Sequence, residues 1–400
     1  MPPASPAQPA SSGDPENPGG FQHIPALDGI RGLAILMVLF FHLFASNPDT
    51  GSKLLDLLNR IRESCYLGVN LFFVLSGFLI TGILLDTRAL PHFFKTFYAR
   101  RTLRIFPLYY GVLIVLLLLT RPLHLVWSGW PIYYLTYTAN LALWTVGPLN
   151  LHAFNINHFW SLQVEEQFYL VWPFLVYRIK RLQTLITFSL LTCAAILTLR
   201  IILVALRPRL HNLYLPYSPT FSCADNLLFG CILCALLRTP ARQRVLALAP
   251  RVLAICAAIL IVAGLRYHGL LWETNFFIPT FGFTLVAIFF AALIAMALRP
   301  SSKTQRLFSN STLRFFGKYS YGIYVFHYSL ETMLNSPTRL YVSDHLHSKA
   351  LGVLAGACVV MAATIPVALL SYHFYESRFL SLKRYFGYNK KETSTPLQAT

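Results

Sequence analysis

The sequence predicts an all-α integral membrane protein folded as a single bundle of about ten transmembrane helices. Two observations lead to this fold class. Hydrophobic residues make up 56% of the 400-residue chain and charged residues only 12%, whereas soluble domains carry about 25% charged residues. Apolar runs recur along the whole chain, and most approach the roughly 20 residues that a helix needs to cross a bilayer. Soluble, fibrous, disordered and disulfide-stapled classes are therefore excluded.

The connections between the apolar runs indicate orientation. Ten runs are expected to span the membrane: 28–46, 66–85, 105–120, 159–177, 183–206, 220–237, 252–267, 276–298, 319–335 and 350–373. Basic residues collect in alternate connections, for example at 88–104 after the second run and at 178–181 after the fourth. By the positive-inside rule this pattern places both termini in the cytoplasm of a multi-pass cytoplasmic-membrane protein. Because topology explains the net charge of +18, no nucleic-acid partner is expected.

Three segments stand apart from the ten runs. Residues 131–147 are apolar enough for another span, but an eleventh span would place the basic residues 178–181 outside, so we expect a re-entrant or interfacial segment on the non-cytoplasmic side. Residues 1–20 contain six prolines and predict a disordered cytoplasmic tail. Residues 386–400 are expected to form a second cytoplasmic tail, which leaves 21–385 as the transmembrane domain.

The cysteines give no indication of a metal site. The chain has seven of them, and most lie in apolar runs where a thiol packs as a small hydrophobic side chain. Cys231 and Cys234 form a CxxC pattern, but no companion ligands accompany it. Structural packing is the favoured interpretation, and we predict neither a metal nor a tightly bound cofactor.

The first apolar run carries two polar side chains on one face. Arg31 and His42 are eleven residues apart, which is three helical turns plus about 20°, and His42 lies about 16 Å further along the helix. Asp28 lies one turn before Arg31 on nearly the same face. Histidine is the side chain whose ordinary pKa suits proton transfer near neutrality, so His42 is a candidate general base. The alternative is that Arg31 extends its charged end to the membrane surface and that His42 hydrogen-bonds to a neighbouring helix.

The fourth run supplies a possible acidic partner for His42. Glu165 and Glu166 fall about 10 Å from the outer end of this run, a depth similar to that of His42. Adjacent residues point about 100° apart on a helix, so at most one carboxylate is expected to face the imidazole. An acid in that position would orient the ring and raise its basicity. The alternative is that one glutamate caps an interfacial turn.

The third run begins with arginines that could bind phosphate. Arg101 and Arg104 are spaced i and i+3, so they share a helix face, and with Arg31 they could form a cationic mouth on the cytoplasmic side. Guanidinium groups match phosphate oxygens in geometry and charge. Topology by itself would also place basic residues at this helix end, so both interpretations stay open.

Several motifs occur together and in a characteristic order: LDGIRGLAILMVLFFH, GVNLFFVLSGFLI, ARRTLRIFPLYY, FWSLQVEEQFYLVWP and SYGIYVFHYSL. Together they resemble the acyltransferase-3 family of integral membrane acyltransferases, over about residues 21–385. The resemblance implies an enzyme that moves an acyl group, usually acetyl, from cytoplasmic acyl-CoA to a hydroxyl of a glycan or lipid-linked sugar. The chain contains no SGNH-type hydrolase domain, so the resemblance implies the stand-alone form.

The resemblance also assigns roles to individual residues. His42 matches the essential histidine and Glu165 the first glutamate of the tryptophan-containing motif. Arg31 matches the basic partner of that histidine, and Arg101 and Arg104 match the paired arginines linked to the CoA end. Residues expected to contact substrate or to support the site are Asp28, Ser76, Trp160, Ser161, Glu166, Asp225 and His327. For Asp225 and His327, packing within the bundle is an equally considered role.

The chain departs from the family pattern near the sixth run. Family members often have an arginine two residues before the position of Asp225, where this chain has Cys223. Near the end, residues 375–378 replace the usual E-x-P pattern. Both departures bear on the identity of the acceptor more than on the type of reaction.

A mechanism follows from these expectations. Acyl-CoA is expected to dock its phosphates on the arginines, and His42 is expected to take a proton from an acceptor hydroxyl while Glu165 holds the imidazole. A covalent acyl-enzyme is the second route. Two other functions stay open on the residues alone: a proton-coupled secondary transporter that uses intramembrane His and Glu, and a non-catalytic membrane scaffold.

Overall fold

Helices make up nearly all of the regular structure. The computed structural model describes residues 23–44, 53–151, 154–210, 217–267, 270 and 276–388. Within these ranges no β-strand forms, apart from a single isolated bridge between Leu151 and Phe154. The predicted all-α class is confirmed. The tail predicted at 1–20 and most of the one predicted at 386–400 lie outside the described residues.

Ten of the α-helices are long. They are α1 (Pro25–Leu43), α3 (Gly68–Thr87), α4 (Phe93–Leu118), α7 (Trp160–Arg178), α8 (Leu182–Leu210), α9 (Thr220–Leu236), α10 (Arg242–Arg266), α11 (Phe283–Ala297), α13 (Ser311–Leu346) and α14 (Lys349–Leu370). Shorter helices connect them: α2 (Lys53–Ser64), α5 (Pro131–Leu135), α6 (Ala139–Thr145), α12 (Lys303–Phe308) and α15 (Ser377–Ser381). A π-helical turn, Ser371–Glu376, joins α14 to α15.

Each of the ten predicted apolar runs overlaps one of these long helices. By length and composition, seven helical segments within the described residues can cross a membrane: Pro25–Leu43, Asn59–Thr87, Phe93–Leu118, Leu182–Leu206, Arg242–Arg266, Ile278–Ala297 and Lys349–Tyr385. Helix α9 is apolar but shorter, and α7 and α13 carry more polar residues. The count of ten spans and the cytoplasmic location of the termini stay predictions.

The segment 131–147 does not form an eleventh span. It folds into α5 and α6, which have five and seven residues and are too short to cross a bilayer. The Tyr109 hydroxyl of α4 donates to the Tyr134 carbonyl at 2.8 Å. The Asn140 backbone N–H donates to the Gln163 side chain of α7 at 2.7 Å. The two short helices are therefore fixed to the bundle by buried hydrogen bonds. Their depth in the membrane stays a prediction.

Glycines allow two pairs of helices to touch along their backbones. Helix α1 packs against α13, and a Cβ on Gly32 would lie 1.9 Å from the Leu313 carbonyl oxygen. Helix α3 packs against α9, and a Cβ on Gly77 would lie 1.9 Å from the Leu227 carbonyl oxygen. Small residues at such interfaces are a common device in membrane bundles, because close packing replaces the hydrophobic driving force. Gly77, in the motif GVNLFFVLSGFLI, is therefore required by packing.

We predict that Gly77→Ala destabilises the protein by about 1–3 kcal/mol, because the added methyl group must push α9 away from α3. Gly82→Ala, on the same helix, is the matched control, since a Cβ there would meet the flexible end of Arg238 at 3.4 Å. The melting temperature in detergent should fall for the first variant and hold or rise for the second. Equal melting temperatures for the two variants would contradict the packing assignment.

Candidate active site

The two polar residues of α1 face two different cavities. His42 lines a cavity of about 610 Å³, which we call the histidine chamber. Arg31 lines a smaller cavity of about 100 Å³, which we call the narrow passage. The predicted helix face that carries both residues therefore runs along the interior of the bundle, with the arginine at one end and the histidine at the other.

The histidine chamber has a largely aromatic wall. Its ring-bearing lining residues are Phe41, His42, Tyr66, Phe154, His158, Trp160, Tyr217, Tyr324 and Tyr328. The Trp160 and Tyr217 rings contact each other with centroids 4.8 Å apart. Three asparagines, at 150, 155 and 157, complete the polar part of the lining. Trp160, predicted to support the site, is thus a wall residue of this chamber.

A backbone carbonyl determines the tautomer of His42. Its Nδ1 lies 2.9 Å from the carbonyl oxygen of Val38, one turn earlier on α1. Since a carbonyl oxygen only accepts, Nδ1 carries the proton in the neutral ring and Nε2 keeps its lone pair. The ring packs on Tyr328, with centroids 4.5 Å apart. The His42 ring therefore has a fixed orientation, and in its neutral form the basic Nε2 accepts no hydrogen bond from the described residues.

Two further histidines, His327 and His158, continue a series of ring contacts that begins at His42. The His327 ring lies 5.0 Å from the His42 ring and 4.9 Å from the His158 ring. The Tyr324 carbonyl accepts from His327 Nδ1 at 2.7 Å and from His158 Nε2 at 2.8 Å. Among the described residues no group of three His, Cys, Asp or Glu side chains is arranged to hold a metal ion.

The position of His327 fits one of its two predicted roles. It is 0% exposed, is absent from the chamber lining and contacts the His42 ring, which is the packing role; contact with an acceptor stays a prediction. Sequence reasoning missed His158 and Tyr324. His158 could have been noticed because it stands three residues before Ser161, at the start of the same polar motif.

The narrow passage brings the predicted arginines together with Glu165. It is lined by Arg31, Arg101 and Arg104 and by Ser76, Glu165 and Tyr169. The Ser76 hydroxyl donates to Glu165 Oε1 at 2.6 Å, and the Tyr169 hydroxyl donates to Oε2 at 3.3 Å. Ser76 therefore positions the Glu165 side chain.

The expected pairing of Glu165 with His42 is wrong. Glu165 accepts hydrogen bonds from Ser76 and Tyr169, and in the described part of the chain no hydrogen bond joins either glutamate to the imidazole. The physical reason is the packing of α7 against α3, which directs Glu165 toward the arginines. Glu166 takes another direction, and its buried Oε1 lacks a hydrogen-bond partner among the described residues.

The arginines of the passage lack a full set of counter-ions. Arg31 Nη1 lies 3.4 Å from Asp28, whose other oxygen contacts His23 at 2.5 Å. Within the described ranges, Arg101 and Arg104 form no ion pair, and Arg101 instead lies over the Tyr169 ring at 5.5 Å. Because unpaired charge in a partly buried site costs free energy, this arrangement fits an anionic ligand.

Shared wall residues connect the cavities into one series. Val69 and Tyr324 line both the histidine chamber and the narrow passage. At the other end, the passage shares Arg31 and four other residues with a cavity of about 240 Å³, which we call the first lobe. The Tyr324 hydroxyl contacts Ser161 at 2.6 Å and forms the boundary between chamber and passage. The narrow passage therefore adjoins the first lobe at the arginines and the histidine chamber at Tyr324.

Comparison with known proteins agrees with this arrangement. A family model described as an acyltransferase domain matches residues 24–373, nearly the whole chain. The chain belongs to the acyltransferase-3 family. The predicted resemblance is confirmed, and the match covers every helix that contributes to the chamber and the passage.

Two relatives illustrate the similarity. The peptidoglycan O-acetyltransferase OatA of Listeria monocytogenes is 30% identical over 390 residues, which cover 89% of this chain and 56% of that protein. The O-acetyltransferase OatA of Staphylococcus aureus is 27% identical over 343 residues, covering 79% of this chain and 52% of that protein. The chain thus spans about half the length of these relatives. No solved structure is significantly similar to this acyltransferase-3 chain.

The structure assigns Asp225 a packing role. Its carboxylate pairs with the Arg200 guanidinium of α8 through two contacts of 2.8 Å, and the Thr284 hydroxyl donates to it at 2.9 Å. Both charged side chains are 0% exposed. Of the two roles considered for Asp225, pairing within the bundle is the one that this geometry shows, and contact with an acceptor stays a prediction.

We predict that Arg200→Met destabilises the acyltransferase by about 3–5 kcal/mol, because it leaves the Asp225 charge buried without a partner. The double variant Arg200→Met/Asp225→Leu should recover most of this loss, since an apolar pair of similar volume needs no compensation. Melting temperatures of the three proteins in one detergent test the pair. A double variant no more stable than the single one would contradict the account.

Proposed function

We propose that this protein is an O-acyltransferase that moves an acyl group, acetyl in the first instance, from acyl-CoA to a hydroxyl of a carbohydrate acceptor. The observation that carries the proposal is the polarity of the cavity series. Incompletely paired arginines line one end, and a histidine with a free Nε2 lines the other. The names of the relatives, peptidoglycan O-acetyltransferases among them, support acetyl and a cell-wall glycan as the first pair to test.

The donor is proposed to bind at the arginine end. Arg31, Arg101 and Arg104 offer guanidinium forks to the diphosphate, and charge-assisted bonds of this kind are the stronger class of hydrogen bond. The helical rise from Arg31 to His42 is about 16 Å, so the slender pantetheine arm must extend through the narrow passage to deliver its thioester. Positive-inside topology puts the arginine end in the cytoplasm, where acyl-CoA is made.

The chemistry is proposed to take place in the histidine chamber. His42 Nε2 removes the proton from the acceptor hydroxyl as its oxygen attacks the thioester carbonyl carbon. Collapse of the tetrahedral intermediate breaks the C–S bond, and the imidazolium returns its proton to the CoA thiolate. The products are the O-acyl ester and free CoA, so no other reactant is needed. The Val38 carbonyl keeps Nδ1 protonated throughout and holds the ring in place.

The acceptor is proposed to enter the chamber from the other end of the bundle. The flat faces of Trp160 and Tyr217 suit the apolar faces of sugar rings, and the asparagine side chains suit their hydroxyls. A volume of about 610 Å³ falls in the ordinary range of ligand sites. The acceptor hydroxyl would then lie on the far side of the membrane from the donor phosphates.

We predict that His42→Gln lowers acetyl transfer at least about a hundredfold, because a general base contributes at least that factor. Vesicles that expose the cytoplasmic face would receive labelled acetyl-CoA and a glycan or lipid-linked sugar acceptor. His345→Gln, a change of the same type at an exposed histidine on α13, is the matched control and should retain full transfer.

Two results would count against the proposal. Full transfer by a folded His42→Gln protein would exclude His42 as the base. Absence of transfer by the unchanged protein, together with substrate flux that depends on His42, would favour the proton-coupled transporter instead.

We predict that Arg104→Ala raises the KM for acetyl-CoA about tenfold or more, because it removes a charged hydrogen-bond donor to phosphate. Arg104→Lys should recover part of the loss, since it restores the charge without the fork. The KM for the acceptor should stay unchanged in both variants. An effect on the acceptor KM alone would place the acceptor, and not the donor, at the arginines.

A further inference from the structure

A second lobe opens beside Arg31. This side lobe has a volume of about 750 Å³ and lies between the beginning of α13 and the π-helical turn Ser371–Glu376. Arg31 and Arg104 line it as well as the narrow passage. The side lobe is therefore continuous with the cavity series that leads to His42.

The side lobe carries a surplus of positive charge. Arg31, Arg104, Arg314 and Lys318 line it against two carboxylates, those of Asp28 and Glu376. In the described part of the chain neither Arg314 nor Lys318 forms an ion pair. Asp28 already contacts His23 and Arg31, and Glu376 accepts a hydrogen bond from Ser371 at 3.1 Å. The two cations of α13 are thus available to an anion.

Aromatic faces stand next to these cations. The Tyr319 and Tyr372 rings meet edge to face with centroids 5.1 Å apart, and the Lys318 ammonium lies 5.3 Å from each ring centroid. A cation combined with aromatic faces is the recognition chemistry of a phosphorylated nucleoside, because a base stacks on a ring while a phosphate pairs with the charge.

We propose that the side lobe binds the 3′-phosphorylated adenosine end of acyl-CoA. In this arrangement Arg314 and Lys318 contact the 3′-phosphate, and Tyr319 and Tyr372 receive the adenine. The diphosphate then lies over Arg31 and Arg104, at the point where the lobe meets the passage. This assignment rests on the proposed function, since it concerns the same donor.

The neighbouring cavities fit this part of the donor less well. The first lobe has about 240 Å³, and its Arg100 donates to the Lys383 and Phe386 carbonyls at 3.3 and 3.1 Å. A third cavity of about 540 Å³ contains Arg238, which already pairs with Asp86 at 2.8 Å. The side lobe is larger than either of them, and its Arg104, Arg314 and Lys318 form no ion pair among the described residues.

The test compares two donors that differ only in the 3′-phosphate. Acetyl transfer would be measured with acetyl-CoA and with 3′-dephospho-acetyl-CoA, and the ratio of their kcat/KM values taken. We predict a ratio of about ten for the unchanged protein, the factor expected for a charged contact to phosphate. In Arg314→Ala/Lys318→Ala the ratio should fall to about one. Melting temperatures would confirm that the variants fold.

Two control variants make the ratio specific. Lys303→Ala removes a charge from the adjacent helix α12 at a residue that lines none of the cavities described above, and it should keep the ratio at about ten. Lys383→Ala removes a charge from the first lobe, and the ratio should again stay at about ten.

Each contrary outcome has a distinct meaning. An unchanged ratio in the double variant, or a ratio that falls in Lys383→Ala instead, would overturn the side-lobe assignment while leaving the acyltransferase intact. A ratio of one in the unchanged protein would show that the 3′-phosphate is not recognised, and would overturn it as well. Absence of transfer from both donors would instead contradict the proposed function on which the assignment depends.

Discussion

The contact between α1 and α13 is the constraint on which the rest of the site depends. Gly32 and Gly317 let the two backbones touch, since a Cβ on either would lie 1.9 Å from a carbonyl oxygen of the other helix. Helix α1 carries Arg31 and His42, and α13 carries Tyr324 with the supporting histidine. The glycine contact therefore holds Tyr324 and His327 of α13 close to the face of α1 that carries Arg31 and His42.

The bundle contains one fully buried arginine and a group of partly buried ones, and the difference between them identifies the site. Arg200 is completely buried, and Asp225 neutralises it through two contacts, so this pair holds α8 and α9 together. Arg101 and Arg104 line cavities and form no ion pair among the described residues. Buried charge is stable only when it is compensated, so the incompletely compensated group is the one that can take an anionic ligand.

Backbone carbonyls prepare the histidines for chemistry. The Val38 carbonyl orients His42, and the Tyr324 carbonyl orients both of the histidines behind it. These bonds fix the tautomers by geometry, so no acidic side chain is needed to hold the base. Glu165 instead lies at the arginine end. Its carboxyl group lines the same passage as the guanidinium groups and accepts a hydrogen bond from the Ser76 hydroxyl.

The sequence by itself determined the helical membrane class and the interior face of α1, because hydropathy and helical periodicity are local properties, and the order of its motifs indicated the acyltransferase-3 family. Only the tertiary structure decided which polar groups meet. Glu165 bonds Ser76 instead of His42, and Asp225 bonds Arg200, because helix packing sets distances between residues far apart in the chain. The side lobe likewise forms from α1, α13 and the turn after α14, which no local pattern brings together.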